Sequence, residues 1–424
     1  MLSRLVPVFS LSLKSLLNRR VTAALTVFAI AVSVMLLLGV ERIRGDAKAS
    51  FANTISGTDL IVGARSGAVQ LLLYSVFRIG NATNNISWES YQDVAARKEV
   101  AWTIPLSLGD SHRGFRVLGT TGDYFRHYRY GRKRPLAFAA GVPFDDLFDA
   151  VLGADVAKAL GYRLDDPIVV AHGLGEAGFS KHDDLPFRVA GILEKTGTPV
   201  DRTVHVSLAA IEAIHVDWQS GARIPGMHTP ADQLRAMDLQ PKVVTAFLVG
   251  LESRLAAFSL QRAVNDYREE PLLAVLPGVA LQELWDLMGT AEAALGTISL
   301  FVVASGLLGM LTMLLSSLNE RRREMAILRS VGARPAQVFA MLVAEAGALT
   351  LAGTLCGLAL LYGALLIAQP ILDAEYGLFL AIGWPSPRDL AILGLVVLAG
   401  LAAGTVPATA AYRKSLADGM IVRT

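Results

Sequence analysis

Four stretches of this chain are too long and too apolar for an ordinary soluble core: residues 21–40, 293–318, about 344–368 and about 390–411. Each reaches the roughly 20 residues that a helix needs to cross a bilayer. The first two contain no charged side chain. With 53% hydrophobic residues and a mean hydropathy of +0.46, the chain is more apolar than a typical soluble domain. A net charge of +2 implies no nucleic-acid partner, so the placement of charge matters more than its sum. The single cysteine, Cys356, lies in the third run, so no disulfide can form within the chain.

The first run can be read as a signal sequence, because Ala-Lys-Ala at 47–49 mimics a cleavage site. The run is longer than a usual signal core, however, and the site lies beyond Glu41, Arg42 and Arg44. An uncleaved membrane helix is the better reading. Orientation follows from the flanks. Arg4, Lys14, Arg19 and Arg20 precede the first run, Arg321, Arg322, Arg323, Arg329 and Arg334 follow the second, and Arg413 and Lys414 follow the fourth. With four crossings all three groups fall on one side, which the positive-inside rule makes cytoplasmic. Arg42, Arg44 and Lys48 oppose this, but they open a long segment, and long segments translocate largely regardless of charge. Before the first run, Leu2, Leu5, Val6, Phe9, Leu13, Leu16 and Leu17 recur at helical spacing near Arg4 and Lys14. That pattern predicts an amphipathic helix on the cytoplasmic membrane surface.

Residues 42–292 mix strand and helix signals. Strands are expected at 57–64, 115–121, 186–194, 202–208, 245–251 and 272–278, and helices at 87–98 and 254–268. Ser87 has the character of an N-cap, and 153–173 reads as a helix, a glycine stop and a strand. The strand–helix–strand order at 245–278 suggests an α/β lobe. Residues 150–240 are richer in strand and suggest a second lobe.

No motif for chemistry stands out. The dipeptide Gly-Lys is absent, so there is no P-loop. Gly173, Gly175 and Gly178 spell G-x-G-x-x-G, but a polar loop and a strand follow where a dinucleotide site needs a helix. Two glycosylation-type sequons, at 81–83 and 85–87, carry little weight. All seven histidines lie in the large segment: His112, His127, His172, His182, His205, His215 and His228. Of these His172, His182, His205 and His215, with Asp183 and Asp184, are weak candidates for a metal, since imidazole and carboxylate suit first-row ions. Their spacing matches no known site. His205 alternates with Val204 and Val206 and must face the other way.

Two pairs of glycines, Gly353 with Gly357 and Gly400 with Gly404, have the four-residue spacing that lets helices in lipid pack closely. The expectation is contact of helix three with helix four or with a partner subunit. Glu345 interrupts the third run. It is expected either near a helix N-terminus, where the dipole favours an acid, or paired with an arginine of the preceding loop.

That loop, "NERRREMAILRSVGARPAQVFAMLVAEAGAL", resembles the cytoplasmic loop and third helix of FtsX/MacB-type permeases of ABC transporters. The pattern is Arg321–Glu324, Ile327–Arg329, Gly332–Ala333, a polar turn at 334–337 and the acid Glu345. The stretch "VLGADVAKALGYRLDDPIVV" at 151–170, with its Leu-Gly, Ala, Leu-Gly and acidic turn, resembles the MacB-like periplasmic domain. The resemblance is carried most by 293–412 and in outline by 21–60 and 150–195. It implies a polytopic α-helical membrane protein with four transmembrane helices and a large α/β (α+β) periplasmic domain inserted between helices one and two. The expected parts are a cytoplasmic amphipathic helix at 1–20, helix one at 21–42, the periplasmic domain at 43–290 with a β-rich part at about 150–240, and helix two at 291–318. A coupling loop at 319–340, helix three at 341–368, a periplasmic loop at 369–389, helix four at 390–411 and a cytoplasmic tail at 412–424 complete it.

The resemblance also implies a function: a non-catalytic permease in the bacterial inner membrane, with both termini cytoplasmic. Arg321, Arg322, Arg323, Glu324, Ile327, Leu328, Arg329, Val331, Gly332 and Ala333 would couple it to an ABC ATPase, with Met325 and Val338 as further apolar anchors. MacB carries its ATPase ahead of its first helix, and about 20 residues stand there in this chain, so the ATPase is expected on a separate chain. No cofactor is expected on this one; ATP and magnesium would sit on the partner. Further expected partners are a second permease copy, membrane lipid, and a periplasmic lipoprotein, adaptor or substrate-bearing protein. FtsX proper has a smaller periplasmic domain, which makes MacB and the lipoprotein-releasing permeases the nearer comparison. The work would be export or release of a lipoprotein, peptide or small molecule by mechanotransmission. Two alternatives stay open: a transmembrane regulator of a periplasmic cell-wall hydrolase, and a component of zinc acquisition.

Overall fold

A computed structural model describes residues 19–172, 184–219, 222–224, 229–320, 325, 327, 329–330, 332–376 and 382–413. The amphipathic stretch expected at 1–20 lies almost entirely outside them. The chain divides into two compact units, Met1–Asp46 with Gly289–Pro370 and Leu380–Thr424, and Ala47–Met288 with Ile371–Phe379.

The second unit is built on a sheet of eleven strands: β1 (Leu60–Ala64), β2 (Val100–His112), β3 (Phe115–Thr120), β4 (Phe138–Gly141), β5 (Asp149–Leu152), β6 (Pro167–Ile168), β7 (Ala171–His172), β8 (Phe187–Leu193), β9 (Thr203–Ser207), β10 (Ala246–Leu251) and β11 (Leu272–Val275). Their order is β11-β1-β10-β2-β3-β9-β5-β8-β4, with β7 on β2 and β6 on β8. β9 runs parallel to β3, and β8 parallel to β5; the other pairs are antiparallel.

The two expected lobes share this sheet. Strand β2 joins them: Val100–Leu106 pair with β10, while Ser107–His112 pair with β3 across a bulge between Leu108 and Ser111. What separates the lobes is their packing. Side chains alternate across a strand, so β1 sends Leu60 and Val62 into a core with Val249, Leu260 and Leu272, and Ile61 into another with Leu71, Ile104 and Leu118. In β9, Val204 and Val206 enter a third core with Phe148, Val156 and Phe187.

Local signals explain the helix ends. The Ser87 side chain accepts from the Ser90 amide at 3.2 Å and starts the helix Trp88–Ala95. The helix Ala154–Leu160 stops at Gly161, whose φ of +71° suits a residue without a Cβ.

Among the described residues four helices are long and apolar enough to cross a membrane, and they make up most of the first unit: α1 (Arg20–Thr54), α2 (Pro277–Glu320), α3 (Pro335–Tyr376) and α4 (Pro387–Arg413), of which α1, α2 and α3 continue into the second unit. Each outruns its apolar stretch, because a helix continues through polar residues once lipid no longer selects them. Arg42 and Arg44, which opposed the charge rule, are occupied. Arg44 Nε lies 2.8 Å from Glu292 Oε2. Arg42 Nη2 donates to the Gly383 carbonyl at 3.1 Å, and its guanidinium lies over the Tyr362 ring. Arg388 pairs with Glu41 at 2.8 Å. These contacts tie α1 to α2, α3 and α4 at one end of the bundle.

Candidate functional site

The loop between α2 and α3 is the site the sequence singles out. Of its residues, Arg321, Arg322, Arg323, Glu324, Leu328 and Val331 lie outside the described ones. Met325, Ile327, Arg329 and Ser330 are helical, and the Ser330 hydroxyl donates to the Ile327 carbonyl at 2.8 Å. The helix closes at Gly332, whose φ of +103° only glycine adopts easily. The Gly332 amide donates to the Arg329 carbonyl at 3.1 Å, with Ala333 half-buried behind it. Pro335 then starts α3, where the missing N–H costs nothing. The Gln337 side chain accepts from the Arg334 amide at 2.9 Å, as a third-position glutamine does in a capping box.

The apolar residues of this segment split into two sets. Met325 and Val338 are buried with Leu318, Leu342, Ala408 and Ala411. They hold the loop on α2, α3 and α4 and are therefore not free to contact a partner, contrary to the expectation from spacing. Ile327 is 55% exposed. The result is a short helix braced from behind that presents Ile327 outward.

The glycines set the packing of α3. A Cβ on Gly353 would lie 2.6 Å from Ile30 Cγ2, and one on Gly357 2.6 Å from the Ala31 carbonyl oxygen. This pair faces α1, not α4. A Cβ on Gly400 would strike Thr350, and one on Gly404 would strike Ala346, so the second pair seats α4 on α3. The helix that begins at the loop is thus in close contact with two others. Glu345 is buried in α3. It stands ten residues beyond Pro335, about 15 Å along the helix, so the dipole of that terminus, which acts within the first turn, does not reach it.

The described histidines do not converge. Among the described residues no three His, Cys, Asp or Glu side chains are grouped to hold a metal. His182 lies outside the described residues, and His172 is in β7, paired in register with Asp110. His205 is fully buried, against Tyr124 with ring centroids 5.0 Å apart, on the face of β9 opposite Val204 and Val206. Its Nδ1 donates to the Val151 carbonyl at 3.2 Å. Burial first and then the Arg78 charge depress its pKa from 6.5 to about 3, against a smaller opposite effect of the Val151 bond. The neutral imidazole is a core residue.

A depressed histidine pKa makes the fold acid-sensitive. The unfolded chain binds a proton near pH 6.5 and the folded one does not, so stability present above pH 6.5 falls as pH drops toward 3. The slope approaches about 1.4 kcal/mol per pH unit. His205→Gln should flatten the fall in melting temperature between pH 7 and pH 5, measured side by side with the unaltered protein.

His215 Nδ1 donates to the Ile211 carbonyl at 2.6 Å and lines a cavity of about 560 Å³ with Asp110, Glu212, Trp218, Asp238 and Lys242. These residues are scattered from 110 to 242, so no local pattern announces the cavity.

Comparison with known proteins agrees with this layout. Residues 23–237 match the MacB-like periplasmic core domain, and residues 296–416 the FtsX-like permease C-terminal domain. The chain belongs to the FtsX/MacB-type family of ABC transporter permeases, the branch that carries a MacB-like periplasmic core domain. It is 25% identical over 425 aligned residues to the Macrolide export ATP-binding/permease protein MacB of Azoarcus sp. (strain BH72), covering 97% of this chain and 59% of that protein. Two solved structures are similar. The periplasmic region of MacB from Actinobacillus actinomycetemcomitans is 12% identical over 55% of this chain and 94% of its own, with a TM-score of 0.33. The extracellular domain of the ABC-type transporter YknZ from Gram-positive bacteria is 13% identical over 51% of this chain and 99% of its own, with a TM-score of 0.29.

Proposed function

We propose that this chain is the membrane-spanning part of an ABC transporter that converts ATP hydrolysis on a nucleotide-binding partner into work on the far side of the membrane. The observation that carries the reading is that Met325, Ile327, Arg329 and Ser330 are helical, with Met325 buried as a brace and Ile327 outward. An apolar side chain held out on a short cytoplasmic helix suits a groove on an ATPase, and the neighbouring arginines suit its acidic rim. The positive-inside rule favours a cytoplasmic loop and cytoplasmic termini, and the contacts of Arg42 and Arg44 within the bundle support that orientation. Two permease copies and two ATPases form the working unit.

Movement of the docked helix is passed to α3, which starts at Pro335 and is seated on α1 by Gly353 and Gly357 and on α4 by Gly400 and Gly404. A rigid helix locked to two neighbours moves them with it. The cargo is a lipoprotein, peptide or small molecule handled by the MacB-like domain, not passed through the bilayer core.

Ile327→Asp tests this reading. An aspartate in an apolar groove forfeits the burial of the isoleucine and adds an unpaired charge, so affinity should fall at least about tenfold. In a pull-down from membranes the tagged variant should insert normally and lose the co-purifying ATPase. Undiminished co-purification would refute docking through this helix.

A further inference from the structure

Helices α1 and α2 enclose a groove of about 770 Å³. Its lining runs from Arg19 to Ala29 on α1 and from Gly306 to Ser317 on α2. The helices meet at its closed end, where Ser33 Oγ donates to the Val302 carbonyl at 3.1 Å and a Cβ on Gly306 would lie 3.0 Å from that hydroxyl. Leu25, 63% exposed, stands on its wall. Gly309 leaves it clear, since a Cβ there would meet nothing within 4 Å.

The groove is therefore amphipathic along its length. Arg19 and Arg20 bring two positive charges to one end, and Val21, Leu25, Ala29, Met310 and Met313 lead to the other, with threonine and serine hydroxyls interspersed among them. Ten residues of helix span about 15 Å, half of a hydrocarbon core of about 30 Å. That length matches one leaflet. A molecule one leaflet long, anionic at its head and apolar in its tail, fits both the length and the charge.

We infer that this groove is a binding site for one anionic phospholipid, its phosphate at Arg19 and Arg20 and an acyl chain lying past Leu25 toward Gly306. Basic pockets between membrane helices select anionic headgroups in this way.

The full-length protein in nanodiscs of equal phosphatidylglycerol and phosphatidylcholine, analysed by native mass spectrometry, tests the site. The unaltered chain should retain about one phosphatidylglycerol per protomer, in preference to phosphatidylcholine by roughly tenfold or more. R19Q/R20Q should abolish the preference. G309L, which fills the groove without touching the fold, should remove the retained lipid. Retention of phosphatidylglycerol by either variant at the unaltered level would overturn the proposal. So would efficient G309C–G309C cross-linking between two copies, which would assign the groove to a dimer contact.

Discussion

Gly357→Leu should abolish the folded membrane unit, whereas Gly363→Leu on the same helix should leave it intact. At Gly357 a Cβ would lie 2.6 Å from the Ala31 carbonyl oxygen and 2.8 Å from Val34 Cβ, so backbone and core would both have to move. Overpacking of this kind costs about 1–3 kcal/mol when neighbours can adjust, and a backbone carbonyl in an adjacent membrane helix cannot. The three further carbons of leucine would then push α3 off α1. At Gly363 nothing lies within 4 Å, and leucine there faces open space. The yield of monodisperse protein by size-exclusion chromatography checks the pair. Equal behaviour of the two variants would show that α1 and α3 do not touch at Gly357.

Asp201→Ala should be the most damaging single change in the strand-built unit. Asp201 is 1% exposed. Its carboxylate accepts from the Thr196 amide at 2.8 Å, the Thr196 hydroxyl at 2.8 Å and the Gly197 amide at 2.6 Å. It ties the turn before β9 in place without an ion-pair partner in those bonds. Burial pushes its pKa upward, and the bonds from Thr196 and Gly197 oppose that. Alanine would strand those donors at a cost of about 2–4 kcal/mol in total, a fall in Tm of roughly 10 °C for a domain of this size. Tryptophan fluorescence is a suitable probe, because Trp88, Trp102, Trp218 and Trp285 all lie in this unit and Trp384 alone lies in the other. A shift of less than about 2 °C would mean that other groups carry the turn.

What could be read from the residues, and what could not, follows from the range of the interactions. Apolar runs, the Ser87 cap, the Gly161 stop and the alternation about His205 are local patterns, and each is legible within a few positions. The joining of two lobes into one sheet is not, because it depends on β2 pairing with β10 some 140 positions away along the chain, as in Ala246 with Leu106. Spacing likewise places Met325, Ile327 and Val338 on a helical stripe but is silent on which of them neighbouring helices cover. Leu318 and Ala411 decide that, from either side of the loop. The glycine pairs show the same limit: four-residue spacing predicts close contact, while only the fold assigns one pair to α1 and the other to α4. The Arg42 and Arg44 contacts, and the groove between α1 and α2, have no sequence signature at all.

The central claim is that the loop helix presents Ile327, and not Met325, to an ATPase. A photoreactive amino acid placed at position 327 or at position 325 of the full-length chain, illuminated in membranes that contain the ATPase, tests it most directly. Ile327 is 55% exposed and Met325 8%. Strong cross-linking of the ATPase from 327 and little from 325 is the expected result. Cross-linking from 325 alone, or from neither, would contradict it.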